Sequence, residues 1–229
     1  MLTKNKKLSL KNFNSKDEYS IDKAIDIIRN ITYTKFDSSF DLSISLDITF
    51  RKSEHLIEDF VLLPYGTGKH TKILVFCEPE KEVKIKDLNV DYFGLENYIK
   101  KIKNGWLDFD VIITTPELMS KLVEIGKILG PKKLMPSFKS NTITLDIAKS
   151  VKDIRIGRVN FKIDKNGILN TSIGRFSFSN KQIKDNLSSL VNKIITFKTS
   201  LKSFRIKNIV LSSTMSQGVH IDKKCLFNN

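Results

Sequence analysis

Glycine and lysine followed by a hydroxyl residue hold nucleotide phosphates, and the stretch LPYGTGKHTKILVFCEP, Leu63–Pro79, comes close to presenting them. A phosphate-binding loop requires G-x-x-x-x-G-K-[ST] between a strand and a helix, so that helix N-terminal amides meet the anion. Here Leu63 stands where the first glycine belongs, and His70 follows Lys69 where a magnesium-binding hydroxyl belongs. The apolar run Ile73–Phe76 follows the glycines and reads as a buried strand, so the stretch is a glycine turn entering a strand. Neither GxGxxG nor GxSxG occurs. Asp108 and Asp110 flank a strand start and read as caps or solvated ends, not as a catalytic pair. Cys77 and Cys225 form no CxxC pair, and Cys77 reads as a small core residue. His55, His70 and His220 are scattered, so no metal site and no cofactor is indicated.

The elements that would carry any site change character along the chain. Residues 20–33 place Ile21, Ala24, Ile25, Ile28 and Ile31 at helical spacing, with Ser20 as N-cap. Phe40, Leu42, Ile44, Leu46 and Ile48 alternate as a half-buried strand. Next come strands at Ile73–Phe76 and Val111–Ile113 and helices at Leu95–Ile102 and Glu117–Ile128, the last opened by Pro116. Alternating strands and helices predict a parallel α/β layer. The loop GPKKLMP follows at Gly130–Pro136. Beyond Gly157 the pattern predicts a hairpin, Val159–Ile163 and Ile168–Ile173 around DKNG, then a helix over 181–197 capped by Ser179 and a last strand, Phe204–Leu211. The expected architecture is an α+β base domain, a split sheet with packed helices, from residues 1–66 plus 157–229. An inserted α/β three-layer Rossmann-like domain, residues 67–156, interrupts it. Gly66, Gly68 and Gly157 sit at or near the crossings and read as a hinge.

Charge narrows the function. The formal net charge is +14, from 39 basic and 25 acidic residues. Residues 1–66 are neutral overall and residues 67–156 carry +4, whereas residues 157–229 hold 13 basic and 3 acidic residues. Lys4, Lys6, Lys7, Lys11 and Lys16 add an N-terminal arm with no acid. Basic residues this uneven point to a polyanion, nucleic acid first. Hydrophobic content of 40% supports a packed core. No apolar run approaches the roughly 20 residues of a membrane span, and the N-terminus has no apolar signal core. A nucleotide-dependent enzyme built on the α/β insert is the alternative class, since such layers often host ligands at strand ends.

Six stretches then fall in family order: RKS at Arg51–Ser53, LPYGTGK at Leu63–Lys69, FDVIITTPELM at Phe109–Met119, LGPKKLMP at Leu129–Pro136, DKNGILNTSIG at Asp164–Gly174 and SSTMSQGV at Ser212–Val219. Together they resemble the bacterial-type large-subunit ribosomal protein one family, the proteins of the ribosomal L-one stalk. The resemblance runs from about Lys16 to Asp222. It implies a monomeric, non-catalytic protein of the cytoplasmic ribosome, and the composition fits an organellar ribosome equally. The base domain would grip the stalk region of large-subunit rRNA, the inserted domain would sit outward, and the stalk would swing as deacylated tRNA leaves the exit site. Members of the family can also bind their own mRNA and repress its translation.

Carried over by position, the RNA contacts implied are Lys35 and Phe36, then Asn170, Thr171, Ser172, Gly174 and Arg175, and finally Ser213, Thr214, Met215 and Gly218. These types suit RNA: cations for phosphates, hydroxyls for 2′-OH groups, glycine for close approach, Phe36 and Met215 for sugars or unstacked bases. Taken alone, Phe36 reads as a core residue, and Met215 as a cap on the sheet. Two departures matter. Ser216 stands where the family's T-M-G loop has glycine, and would shift the loop if that position needs a positive φ. Lys133 replaces the second glycine of G-P-[KR]-G-L-M-P, and Ser137–Phe138 replaces the following asparagine-proline.

Overall fold

The computed structural model describes Asn14 and residues 17–48, 58–77, 90–198 and 204–223. The lysines of the N-terminal arm, the Arg51–Ser53 motif, His55 and Cys225 lie outside the described residues. In chain order the elements are β1 (Glu18–Tyr19), α1 (Ile21–Ile31), β2 (Ser39–Ile48), β3 (Glu58–Leu62), β4 (Ile73–Phe76), β5 (Tyr92–Phe93), α2 (Glu96–Lys103), β6 (Val111–Thr114), α3 (Met119–Leu122), α4 (Gly126–Leu129), α5 (Ile147–Ile156), β7 (Arg158–Lys162), β8 (Ile168–Arg175), α6 (Asn180–Lys198), β9 (Phe204–Ser213) and β10 (Val219–Ile221). Helices and sheets are mixed in an α+β composition. The chain separates into two compact units, Met1–Gly68 with Gly157–Asn229, and Lys69–Ile156.

The first unit is built on a five-stranded sheet of order β1-β10-β9-β2-β8, in which β2 runs antiparallel to both β9 and β8. Strand pleating sends alternate residues to opposite faces. Phe40, Leu42, Ile44 and Leu46 of β2 are buried and share a face with Leu211, Ile209 and Ile206 of β9. Helix α1 lays Ile21, Ala24, Ile25, Ile28 and Ile31 into this core, and α6 adds Ile183, Leu187, Leu190, Val191 and Ile194. Each of these Ile, Leu and Val side chains contributes roughly 1.5–3 kcal/mol on burial. The opposite face carries Asp41, Ser43, Ser45, Asn170, Ser172, Asn208 and Ser212, all exposed or half-buried.

Local signals hold with two corrections. Ser20 occupies the N-cap of α1 in extended geometry, but only its carbonyl is engaged there, accepting from the Ala24 amide at 2.8 Å. Ser179 caps α6 in a reciprocal box: the Gln182 amide donates to Ser179 Oγ at 3.3 Å, and the Ser179 amide donates to Gln182 Oε1 at 2.9 Å. The hairpin expected around DKNG is not a hairpin of paired strands. Its turn closes, with the Gly167 amide donating to the Asp164 carbonyl at 2.9 Å, and a single bridge joins Ile163 to Leu169. The two strands then part: β7 pairs with β3, and β8 pairs with β2. Turn chemistry is local, whereas partner choice is settled by which apolar face each strand can bury.

The second unit holds a parallel three-stranded sheet of order β5-β4-β6. All four residues of β4 are buried. Leu74 and Phe76 belong with Ile112 to one apolar cluster, which α2, α3 and α4 complete through Ile102, Leu122 and Leu129. Ile73, Val75 and Ile113 belong to another, with Ile147, Val151 and Ile154 of α5. A strand packed on both faces needs an unbroken apolar run, which ILVF supplies. The single helix expected over 117–128 is instead a chain of alternating 3₁₀ and α turns, Pro116–Leu118, α3, Val123–Ile125 and α4. Leu118, Leu122, Ile125 and Leu129 all stay buried. Val123 and Gly126, poor helix residues, allow the winding to tighten locally. Helix α5 was not among the sequence-based expectations, although Asp146 caps it by accepting from the Lys149 amide at 3.1 Å.

Candidate nucleic-acid interface

One end of the five-stranded sheet collects most of the exposed candidate residues. Register brings Ser39 opposite Arg175, and Phe40 opposite Ser213, so the start of β2 and the ends of β8 and β9 meet there. The turn before β2 carries Lys35 and Phe36, both exposed; Phe36 keeps 56% of its surface in solvent, which overturns the core reading. Arg175 donates from Nη1 to the Asp37 carbonyl at 3.2 Å, fastening β8 to that turn. Asp37 also accepts from the Ser177 amide and hydroxyl at 2.9 and 3.0 Å.

The loop after β9 is stitched to β2. Thr214 Oγ1 accepts from the Ser39 amide at 3.1 Å and lies 2.9 Å from Ser39 Oγ, while the Thr214 amide donates to the Ser39 carbonyl at 3.2 Å. Met215 is 64% exposed and has φ +66°, a left-handed conformation that costs a non-glycine residue roughly 1–2 kcal/mol. The positive φ therefore falls on Met215 and not on Ser216. Ser216 fits the turn: its amide donates to the Ser213 carbonyl at 2.9 Å, and its Oγ accepts from the Ser213 amide at 2.8 Å.

The remaining candidates divide by the pleat. Asn170 and Ser172 lie on the polar face, opposite Ser43 and Asp41, whereas Thr171 pairs with Leu42 on the core side and is half-buried. Ser213 is 3% exposed, with its hydroxyl 2.9 Å from Ser38 Oγ. Gly174 and Gly218 leave room for neighbours: a Cβ there would come within 3.0 Å of the Phe178 ring and 2.7 Å of Val210.

Two residues that sequence reasoning missed support this end of the sheet. Arg29 on α1 donates to the carbonyls of Phe176 and Phe178 and to Asn180 Oδ1, and its guanidinium lies 5.0 Å from the Phe176 ring centre. Asn186 on α6, fully buried, donates to the carbonyls of Gly66 and Ile173 and accepts from the Tyr65 amide. A buried asparagine surrounded by an apolar helical stripe was the signal available for it. At the crossings, Gly66, Gly68 and Gly157 all have positive φ, and a Cβ on Gly157 would stand 2.1 Å from Gly66 Cα.

The lysine of GTGK is engaged elsewhere. Lys69 Nζ lies 2.8 Å from Asp110 Oδ1, and Lys72 Nζ lies 2.5 Å from Asp108 Oδ1. Burial raises the Asp110 carboxyl, but the bond from Lys69 and the Lys72 amide outweigh it and hold the group below its ordinary value. Asp91 is similar: burial is offset by the Ile73 amide and by Arg155, 2.7 Å away, and its carboxyl sits below the ordinary 3.8. Among the described residues no group of three or more His, Cys, Asp or Glu could hold a metal ion, and no helix is long and apolar enough to cross a membrane.

Comparison with known proteins settles the family. The profile of the Ribosomal protein L1p/L10e family matches residues 28–217. The chain belongs to that family. It is 45% identical over 229 residues to the large ribosomal subunit protein uL1 of Phocaeicola vulgatus, covering 100% of this chain and 99% of the relative. The protein of the same name from Bacteroides thetaiotaomicron is 46% identical over 224 residues, 97% of each chain. That of Amoebophilus asiaticus is 43% identical over 227 residues, 99% of this chain and 98% of the relative. Membership makes the chain a structural ribosomal protein and not an enzyme.

Proposed function

We propose that the chain is a constituent of the large ribosomal subunit in the bacterial cytoplasm that binds the stalk region of large-subunit rRNA through this end of the five-stranded sheet. Met215 carries the reading. A strained backbone is retained where the surrounding structure enforces it and a side chain is needed. Here the Ser39 amide, donating to Thr214 Oγ1, and the Ser213 amide, donating to Ser216 Oγ, enforce a turn that leaves the Met215 side chain in solvent. Lys35 and Arg175 supply charge for phosphates, and Ser172 and Thr214 supply hydroxyls for the 2′-OH, while Thr171, on the core side, would hold the strand in place beneath them. Phe36 and Met215 offer surfaces for sugars and unstacked bases. Asn170 would extend the contact along the polar face, while Ser213, Gly174 and Gly218 would shape the loops from within.

In the same reading, the unit made from both chain ends is the rRNA-binding base. Residues 67–156 form an outer, Rossmann-like insert, with Gly66, Gly68 and Gly157 as hinge residues. The free protein is a monomer. Assisting release of deacylated tRNA at the exit site, and repressing translation of its own mRNA, extend the proposal on family resemblance. The deciding experiment is a filter-binding titration against the stalk fragment of large-subunit rRNA, with a scrambled RNA of equal length, at several salt concentrations. The expected result is at least ~10³-fold preference for the stalk at physiological salt. Equal, steeply salt-sensitive binding to both RNAs would overturn it.

A further inference from the structure

Tyr33 falls outside the residues implied by resemblance, yet it stands among them. It follows the end of α1, two residues before Lys35. Its hydroxyl donates to the Met215 carbonyl at 3.3 Å. That bond spans 182 positions of sequence and joins the turn before β2 to the strained tip after β9. The residue remains 36% exposed. A tyrosine tethered by its polar end, with ring surface still in solvent, is a fixed aromatic surface. Little conformational freedom remains to be lost when a flat partner arrives. Exposed apolar side chains at this end of the sheet are Tyr33, Phe36 and Met215, with the Lys35 ammonium between the two rings in sequence.

We infer that Tyr33 is a stacking platform for an unpaired nucleobase of the bound RNA, and so a further RNA-contacting residue of this interface. The inference rests on the rRNA reading above. An aromatic face accepts any base, so the contact adds affinity without reading sequence. It carries no charge, so it leaves the number of neutralised phosphates unchanged.

The test uses the full chain, the stalk rRNA fragment and the scrambled RNA, with Tyr33→Ala and Tyr33→Phe beside the unmodified protein. Tyr33→Ala is expected to weaken stalk binding by about 5- to 150-fold, the range for losing one base–aromatic stack. The salt dependence of its affinity should stay parallel to that of the unmodified protein. Tyr33→Phe keeps the ring and should bind within about threefold. A fluorescent adenine analogue placed in turn at each unpaired position of the fragment should be quenched at one position by the unmodified protein and not by Tyr33→Ala. Full affinity in Tyr33→Ala overturns the platform. So does a Tyr33→Phe protein as weak as Tyr33→Ala, because the hydroxyl's hold on Met215 would then account for the loss. If the unmodified protein itself shows no preference for the stalk fragment, the rRNA reading fails first and the platform falls with it.

Discussion

The two main sheets of this protein face opposite demands. Strand β4 of the second unit is buried on both sides, between clusters centred on Phe76 and Val75. Strand β2 of the first unit buries Phe40, Leu42, Ile44 and Leu46 but turns Asp41, Ser43 and Ser45 to a polar, part-exposed face. A sheet covered on both faces has only its edges and strand ends left for a ligand. A sheet covered on one face keeps a surface of polar side chains in fixed register, and its loops can display cations and apolar groups at one end. The difference fits the proposal that RNA is bound through the first unit, while the charged groups of the second, Lys69–Asp110, Lys72–Asp108 and Arg155–Asp91, pair with one another.

The comparison can be broken first by stability. Phe76→Ala leaves a cavity in the two-sided sheet and should cost about 3–5 kcal/mol. Ser43→Ala on the polar face should change stability by no more than about 0.5 kcal/mol. Trp106, the one tryptophan of the chain, lies in the second unit, so its fluorescence in urea follows Phe76→Ala. Far-UV circular dichroism follows Ser43→Ala. Similar losses in both would show that the polar face is as tightly packed as the core.

At the sheet end, stability and binding should move in opposite directions. Met215→Ala and Met215→Gly should each weaken stalk RNA binding by roughly 1–3 kcal/mol. Met215→Gly should also raise stability by up to about 1 kcal/mol, because glycine adopts the positive φ without strain. Full affinity in both variants would remove the methionine from the interface.

A smaller effect sharpens the contrast through pH. The Asp91 carboxyl is depressed in the folded protein. Its contribution is therefore complete above the unfolded value, near pH 4, and is lost as pH falls through the lower folded value. Asp91→Asn should lower the Trp106-detected stability at pH 7, and the gap to the unmodified protein should narrow below pH 4. A gap that stays constant through acid would show that the Arg155 pair contributes no charge-dependent stability. A small gain is expected at Lys133, which has φ +58° where α4 ends: its amide donates to the Gly130 carbonyl and the Leu134 amide to the Leu129 carbonyl. A left-handed residue closing a helix this way is ordinarily glycine. Lys133→Gly should therefore stabilise the second unit by about 0.5–1 kcal/mol in the same urea assay.

Much of this was open to reading in the chain itself. Period-2 and period-3.6 patterns depend on neighbours in sequence, so β2, β4, α1 and α6 are visible in the apolar spacing of their own residues. Failure of GTGK as a phosphate loop was equally local, because it turned on the residues at positions 63 and 70. Charge asymmetry and the six motifs in register pointed to RNA and to the family. What the chain could not show were the events that depend on distant partners. These are the parting of β7 from β8 after a sound turn, the placing of the positive φ at Met215 and not at Ser216, and the exposure of Phe36. The same holds for the tether from Tyr33 to Met215 and the burial of Asn186 beneath Gly66. Each is decided by which faces and hydrogen-bonding groups the folded sheet leaves unsatisfied, and that is a property of the assembled core, not of any segment.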